Sequence, residues 1–252
     1  MNLIMQKVCA TMDISDLRLR LDQMNEKIIS GLKIRSKYTC NLNTFDKKFS
    51  GNKSWILYRL KKEQDIDSEF GRYLYLDQAP FIYTKNQLAK PKITRKIVSK
   101  GIEPLRIDLS SKIIEVYKKV LTELCPVGEN EETYGETTKL DVENILEINE
   151  RILGLGEQVA YFKISHEPIL LDITSREEIK SRLFAPEREK EVIEKTSLIA
   201  QKYEIANTPA VNEFTKKIID LTTTAEIEFI LKAQKNGFKK AFANKTYLLT
   251  VL

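Results

Sequence analysis

The sequence carries a single histidine, His166. Histidine-rich metal sites are thereby excluded, and a Ser-His-Asp or Cys-His mechanism would have to run through that one residue. His166 sits in KISHEPI, a polar turn ahead of Pro168, which is a poor setting for a catalytic group. Cysteine is nearly as scarce. Cys9, Cys40 and Cys125 are odd in number and far apart. They read as free thiols in a reducing compartment and not as a disulfide frame or a zinc site. Nine glycines and seven prolines in 252 residues are few, and so few chain breaks favour long helices over many short strands. Gly154-Leu155-Gly156 lacks the rest of a dinucleotide fingerprint, and no Walker-type loop is present. No apolar run reaches the roughly 18 residues of a membrane span. The opening MNLIMQKVCATMD is too short and too soon polar for a signal peptide. The expectation is a cytosolic protein with no membrane partner, no cofactor and no metal. Any catalysis would come from charged side chains arranged around a substrate.

What remains is apolar mass and interleaved charge. The chain is 42% hydrophobic and 31% charged, enough for a substantial core. Its net charge of +5 comes from 41 basic and 36 acidic residues mixed as in KKEQDIDSEFGR. Without a basic block a nucleic-acid surface is not indicated, whereas a small anionic substrate suits the balance. Amphipathic stripes mark the helices. Residues 13–38 carry Leu17, Leu21, Met24, Ile28 and Leu32 behind a cap at Asp13 or Ser15. Residues 39–54 read as polar loop, 55–62 as a short helix around Trp55, and 77–96 as a connector. Residues 108–124 form a helix capped by Asp108 or Ser110, and 125–139 an acidic loop. From about Leu140 a long helix carries Ile145, Ile148, Ile152, Leu155, Val159 and Phe162 up to Pro168. EPILLDI reads as extended. Residues 175–205 are helical with a break at Pro186, and Thr208-Pro209 opens a last helix to about Lys235. No useful strand pattern appears. The fold class is all-α, a single-domain helical bundle spanning residues 1–252.

Six polar groups lie against these stripes: Arg18, Arg151, Lys163, Glu189, Thr222 and Glu226. Thr222 and Glu226 are at i and i+4, on one helix face. Each alone is most simply a flanking or snorkelling side chain, and periodicity does not join the six.

Four segments, in order, give them a common meaning. DLRLRLDQMNEKIISGLKIRSKYTC, YGETTKLDVENILEINERILGLGEQVAYFK, APEREKEVIEKTSLIAQKYEI and TTTAEIEFILKAQ resemble helices of the all-helical chorismate mutases of the fungal and plant type. The resemblance spans the chain and is weakest over residues 39–107. It implies an enzyme that rearranges chorismate to prephenate in phenylalanine and tyrosine biosynthesis, without cofactor or metal, as a homodimer. It also implies roles. Arg18, Arg151 and Lys163 bind the substrate carboxylates, Lys163 and Glu226 reach the ether oxygen, Glu189 meets the ring hydroxyl, and Thr222 assists carboxylate binding. The alternative is a catalytically drifted relative that serves as an interaction or regulatory protein on the same scaffold.

Three departures from the family pattern stand out. Arg151 and Lys163 are twelve residues apart where the family has eleven. On a regular helix that puts them about 120° apart, against about 20° for eleven. A π-bulge near Leu153–Gly156 would restore the phase, and Gly154 and Gly156 make that region the easiest to distort. Ala185 stands where fungal members carry a polar residue. At the family's effector site the loop here is Gly135-Glu136…Lys139, and Ser68-Glu69 replace a basic pair, with Arg72 the nearest cation. A weak or altered response to tyrosine or tryptophan is expected.

Overall fold

The computed structural model describes residues 14–73, 78–82, 88–93 and 107–235. Cys9 and Asp13, one of the two expected caps, lie outside them; Ser15, the other, already sits inside the first helix. That helix, α1 (Ile14–Arg35), buries Leu17, Ile28, Ile29 and Leu32 as its stripe requires.

The segment expected to be loop contains structure. A short helix, α2 (Asn43–Asp46), is followed by a hairpin in which β1 (Lys48–Ser50) pairs antiparallel with β2 (Lys53–Ser54). Gly51 and Asn52 turn it, with φ of 56° and 62°. Two successive left-handed residues match the twist of a tight hairpin, and Gly-Asn is the signal that the short strands concealed. Ser54 then caps α3 (Trp55–Glu69), its hydroxyl accepting from the Leu57 N–H. This helix runs seven residues past Lys62. Its buried row continues from Ile56 and Leu60 to the polar Gln64 and Ser68. Gln64 donates to the Ile82 carbonyl at 2.7 Å and accepts from the Ile82 N–H at 2.9 Å. Ser68 donates to the Ala89 carbonyl at 2.7 Å. Both polar residues are buried because the returning chain satisfies them.

Helix α4 (Ser110–Leu124) has Leu109 at its cap position, with Asp108 accepting from the Ser110 N–H from one residue further out. The central helix begins at Tyr134, six residues before Leu140, after a 3₁₀ turn at Glu131–Thr133. Asn41 anchors this start by donating to the hydroxyls of Thr133 and Thr137. It runs as α5 (Tyr134–Asn149), a π turn over Glu150–Gly154, and α6 (Leu155–His166). Pro168–Leu171 is a 3₁₀ turn, not an extended stretch; it lets Leu170 and Leu171 bury together. The break at Pro186 holds: α7 (Arg176–Leu183) ends before it, and Pro186 opens α8 (Pro186–Lys202) at a position needing no N–H donor. The last helix, α9, spans Thr208–Lys235.

Among the described residues the fold is all-α apart from the small hairpin. Helix α9 packs on α6, α8 and α4; α1 packs on α5, α8 and α6; α3 covers α5. The main core cluster runs through Ile113, Tyr117, Ile145, Ile148, Ile152, Ile164, Phe229 and Ile230. Among the described residues no helix is long and apolar enough to cross a membrane.

One ion pair lies deep in this core. Arg35 donates from Nε to Asp141 Oδ1 at 2.6 Å, and both side chains are wholly buried. The guanidinium also donates to the carbonyls of Thr39 and Cys40, and the Tyr117 hydroxyl donates to the same carboxylate oxygen. Burial pushes the Asp141 carboxyl up to about 6 against the pull of Arg35. Removing one partner of such a pair strands the other charge without water. Asp141→Ala should therefore lower stability by about 3–5 kcal/mol in urea denaturation; a loss below about 1 kcal/mol would mean that Arg35 finds other compensation.

Candidate active site

A cavity of about 170 Å³ lies between α1, α6, α8 and α9. All six residues singled out in the sequence line it: Arg18, Arg151, Lys163, Glu189, Thr222 and Glu226. Leu17, Leu21, Val159, Leu183, Val192 and Ile219 supply its apolar wall. A larger groove of about 610 Å³ runs between α1, α5 and the end of α3. Its charges are largely paired with one another, Arg72 with Glu150 at 2.9 Å for instance, so the smaller cavity is the better candidate.

The central helix brings the two cations together. The π turn begins at Glu150, three residues before the expected place, and ends at Gly154. One extra residue in a turn takes about 100° out of the count, leaving Arg151 and Lys163 about 20° apart, as a spacing of eleven would. Their partners agree. Arg151 Nη1 donates to Thr222 Oγ1 at 2.8 Å, and Lys163 Nζ donates to Glu226 Oε2 at 2.7 Å. Those acceptors stand one turn apart on α9. Gly156 has a different place from the one expected. A Cβ there would lie 3.4 Å from the Thr222 methyl and 3.7 Å from Ala225, ordinary contact distances, so Gly156 faces α9 and lies outside the π turn.

Arg151 is 4% exposed. Among the described residues its direct partners are neutral: besides Thr222, Nε donates to Asn25 Oδ1 at 2.6 Å. Neither bond uses Nη2. Burial draws its pKa down to about 10, with Asp22 and Glu226 pulling the other way; the group is still charged at neutral pH. The Thr222 hydroxyl donates a hydrogen bond to the Ile218 carbonyl at 2.8 Å, which leaves its lone pairs to Arg151. Glu226 is buried, and desolvation raises its pKa despite Lys163 and Arg151. Glu189, half-buried in the first turn of α8, is also raised, by burial and by Asp220. Arg18 stands exposed at the rim.

Two side chains here had not been singled out. Asn25 lies on α1 four residues after Leu21 and three before Ile28, in phase with the apolar stripe, which is a legible signal for a buried polar residue. Arg188 lines the cavity from α8, but among the many charges of APEREKEVIEK nothing distinguished it. Ala185 lines the cavity as well and brings no polar group.

No protein-family model and no curated protein matches the sequence. Solved structures do match the fold. The chorismate mutase of Candida albicans, in complex with L-Trp, superposes with a TM-score of 0.81 at 20% identity, covering 92% of this chain and 95% of that one. The chloroplast chorismate mutase of Zea mays gives 0.72 at 21% identity, covering 88% and 95%. AtCM1 with tyrosine bound in its allosteric site gives 0.72 at 21% identity, covering 88% and 96%.

The Asn25 contact can be tested directly. Asn25→Leu leaves a buried donor of Arg151 unmet and should lower stability by about 1–3 kcal/mol, whereas Asn25→Asp supplies a counter-charge and should not. Urea denaturation distinguishes them, and equal stability of Asn25→Leu and the parent protein would show that Arg151 does not depend on this bond. The helix order, the central helix and the packing around the cavity together give this chain the all-helical fold of the eukaryotic chorismate mutases.

Proposed function

We propose that the cavity converts chorismate to prephenate. The single observation that carries this reading is Arg151, a guanidinium buried at the cavity wall with only neutral direct partners among the described residues. A buried cation whose direct partners are all neutral is costly unless an anion completes it, and chorismate is a compact dianion. The rearrangement is pericyclic and needs no nucleophile. Catalysis rests on holding the substrate in a folded, reactive shape and on stabilising charge that builds on the ether oxygen as the C–O bond breaks.

In this reading Arg18, Arg151 and Lys163 take the two carboxylates, where the arginine fork suits a planar anion, and Thr222 holds Arg151 in position for them. Lys163 and Glu226 serve the ether oxygen, and Glu189 the ring hydroxyl. A carboxylate donates a hydrogen bond only when protonated. Burial favours that form of Glu226, and Lys163 at Oε2 leaves Oε1 to carry the proton. The effector response is proposed to be weak. Ser68 is buried against the Ala89 carbonyl, and Glu69 pairs with Lys92 at 2.6 Å. Arg72, the nearest cation, is held by Glu150. A homodimer, as in the family, is part of the same proposal.

The deciding measurement is loss of chorismate absorbance. Arg151→Ala should reduce kcat/KM by about 10²–10³; activity at the parent level in that variant, or no turnover by the folded parent protein, would rule the reading out, the latter in favour of a drifted interaction protein. The pH profile gives a separate test. Activity that needs protonated Glu226 is highest below its raised pKa and falls as pH climbs through it. Glu226→Gln, which donates at every pH, should flatten that fall, and an unchanged profile would remove Glu226 from the ether oxygen.

A further inference from the structure

Arg188 is the cavity's fourth cation and is held differently from the other three. It lies in the first turn of α8, next to Glu189. Its Nη2 donates to Asp22 Oδ1 on α1 at 2.9 Å, and its Nη1 pairs with Glu191 at 2.8 Å. Lys195, two turns along α8 from Arg188, pairs with the same two carboxylates, each at 2.8 Å. The four residues thus form a ring in which each carboxylate is shared by two cations. Were Arg188 to turn away, Asp22 and Glu191 would each keep Lys195 as a partner, and the one net negative charge left on this partly exposed ring would be screened by water. The ring is only partly buried, with 20% of the Arg188 side chain and 25% of the Asp22 side chain exposed, so its ion pairs are individually weak. Arg188 is also near enough to Arg151 for its charge to depress the Arg151 pKa. An anion bound at Arg151 would therefore attract Arg188 as well.

We infer that Arg188 is a further substrate-binding residue, parked on Asp22 at the mouth of the cavity and transferred to a carboxylate of the bound dianion. The inference rests on the chorismate reading of the same cavity. Asp22 competes with the substrate for the guanidinium, while Lys195 keeps Asp22 partnered when the exchange occurs. Arg188 then adds a charged hydrogen bond on the α8 side of the cavity, where Ala185 offers none.

Steady-state kinetics with chorismate test this on the full-length protein, with far-UV circular dichroism and thermal melts confirming the fold of each variant. Arg188→Ala should raise KM by about 10- to 100-fold, the worth of a charged hydrogen bond, with a smaller change in kcat. Arg188→Lys should recover part of that loss. Asp22→Asn removes the competitor and should lower KM. A strut between α1 and α8 would behave otherwise: Arg188→Ala and Asp22→Asn would break the same bridge and shift KM in the same direction. That result, or a parent-level KM in Arg188→Ala, overturns the role of Arg188 while leaving the cavity's function standing. A folded parent protein that neither turns over chorismate nor binds it by calorimetry overturns both.

Discussion

A helix that crosses the middle of a bundle can offer each neighbour only one stripe, so the phase of the central helix constrains everything around it. From Tyr134 to Asn149 that phase is set by the core seam of Val142, Ile145 and Ile148. From Leu155 onward it must serve both the core, through Ile164, and the cavity, through Lys163. The π turn at Glu150–Gly154 reconciles the two. It keeps Ile152 and Leu153 buried while turning Arg151 toward Thr222 and Lys163 toward Glu226. The packing of α6 on α9 completes the arrangement, because the acceptors for both cations stand on α9.

Two buried arginines show how differently the same side chain can be satisfied. Arg35 has a carboxylate, two carbonyls and no access to water. It is satisfied within the protein and needs nothing from outside. Arg151 is almost as deeply buried but meets only an amide and a hydroxyl. Its charge is hydrogen-bonded by neutral groups, and Asp22 and Glu226 act on it without direct contact. Stability would be better served by an aspartate at position 25. The asparagine found there orients the guanidinium and leaves its charge available, which is the arrangement an anion site requires.

Much of this was legible from periodicity. The stripes of α1, α4, α6, α8 and α9 located those helices, and Pro186 located the break between α7 and α8. The failures have physical causes. The outer half of α3 buries Gln64 and Ser68, polar residues whose partners come from a distant part of the chain, so no local pattern reveals them. The start of α5 depends on Asn41, more than ninety residues earlier than Thr133 and Thr137. The hairpin has too few strand residues to show alternation. For the cavity, the six side chains were named through resemblance, since periodicity could not join residues on four helices. Arg188 stayed hidden because a charge in a run of charges looks solvated until the fold shows what it faces.

The π turn also bears on how such a helix can change through descent. A codon gained within an ordinary buried helix rotates every later side chain and ruins the interior at a stroke. Here the surplus residue is confined to five positions, and both ends of the helix keep their neighbours. A lineage can acquire or discard it in one event, without passing through a protein that fails to fold. Helix length in this scaffold is thus open to natural variation at a point one residue from a principal charge of its cavity.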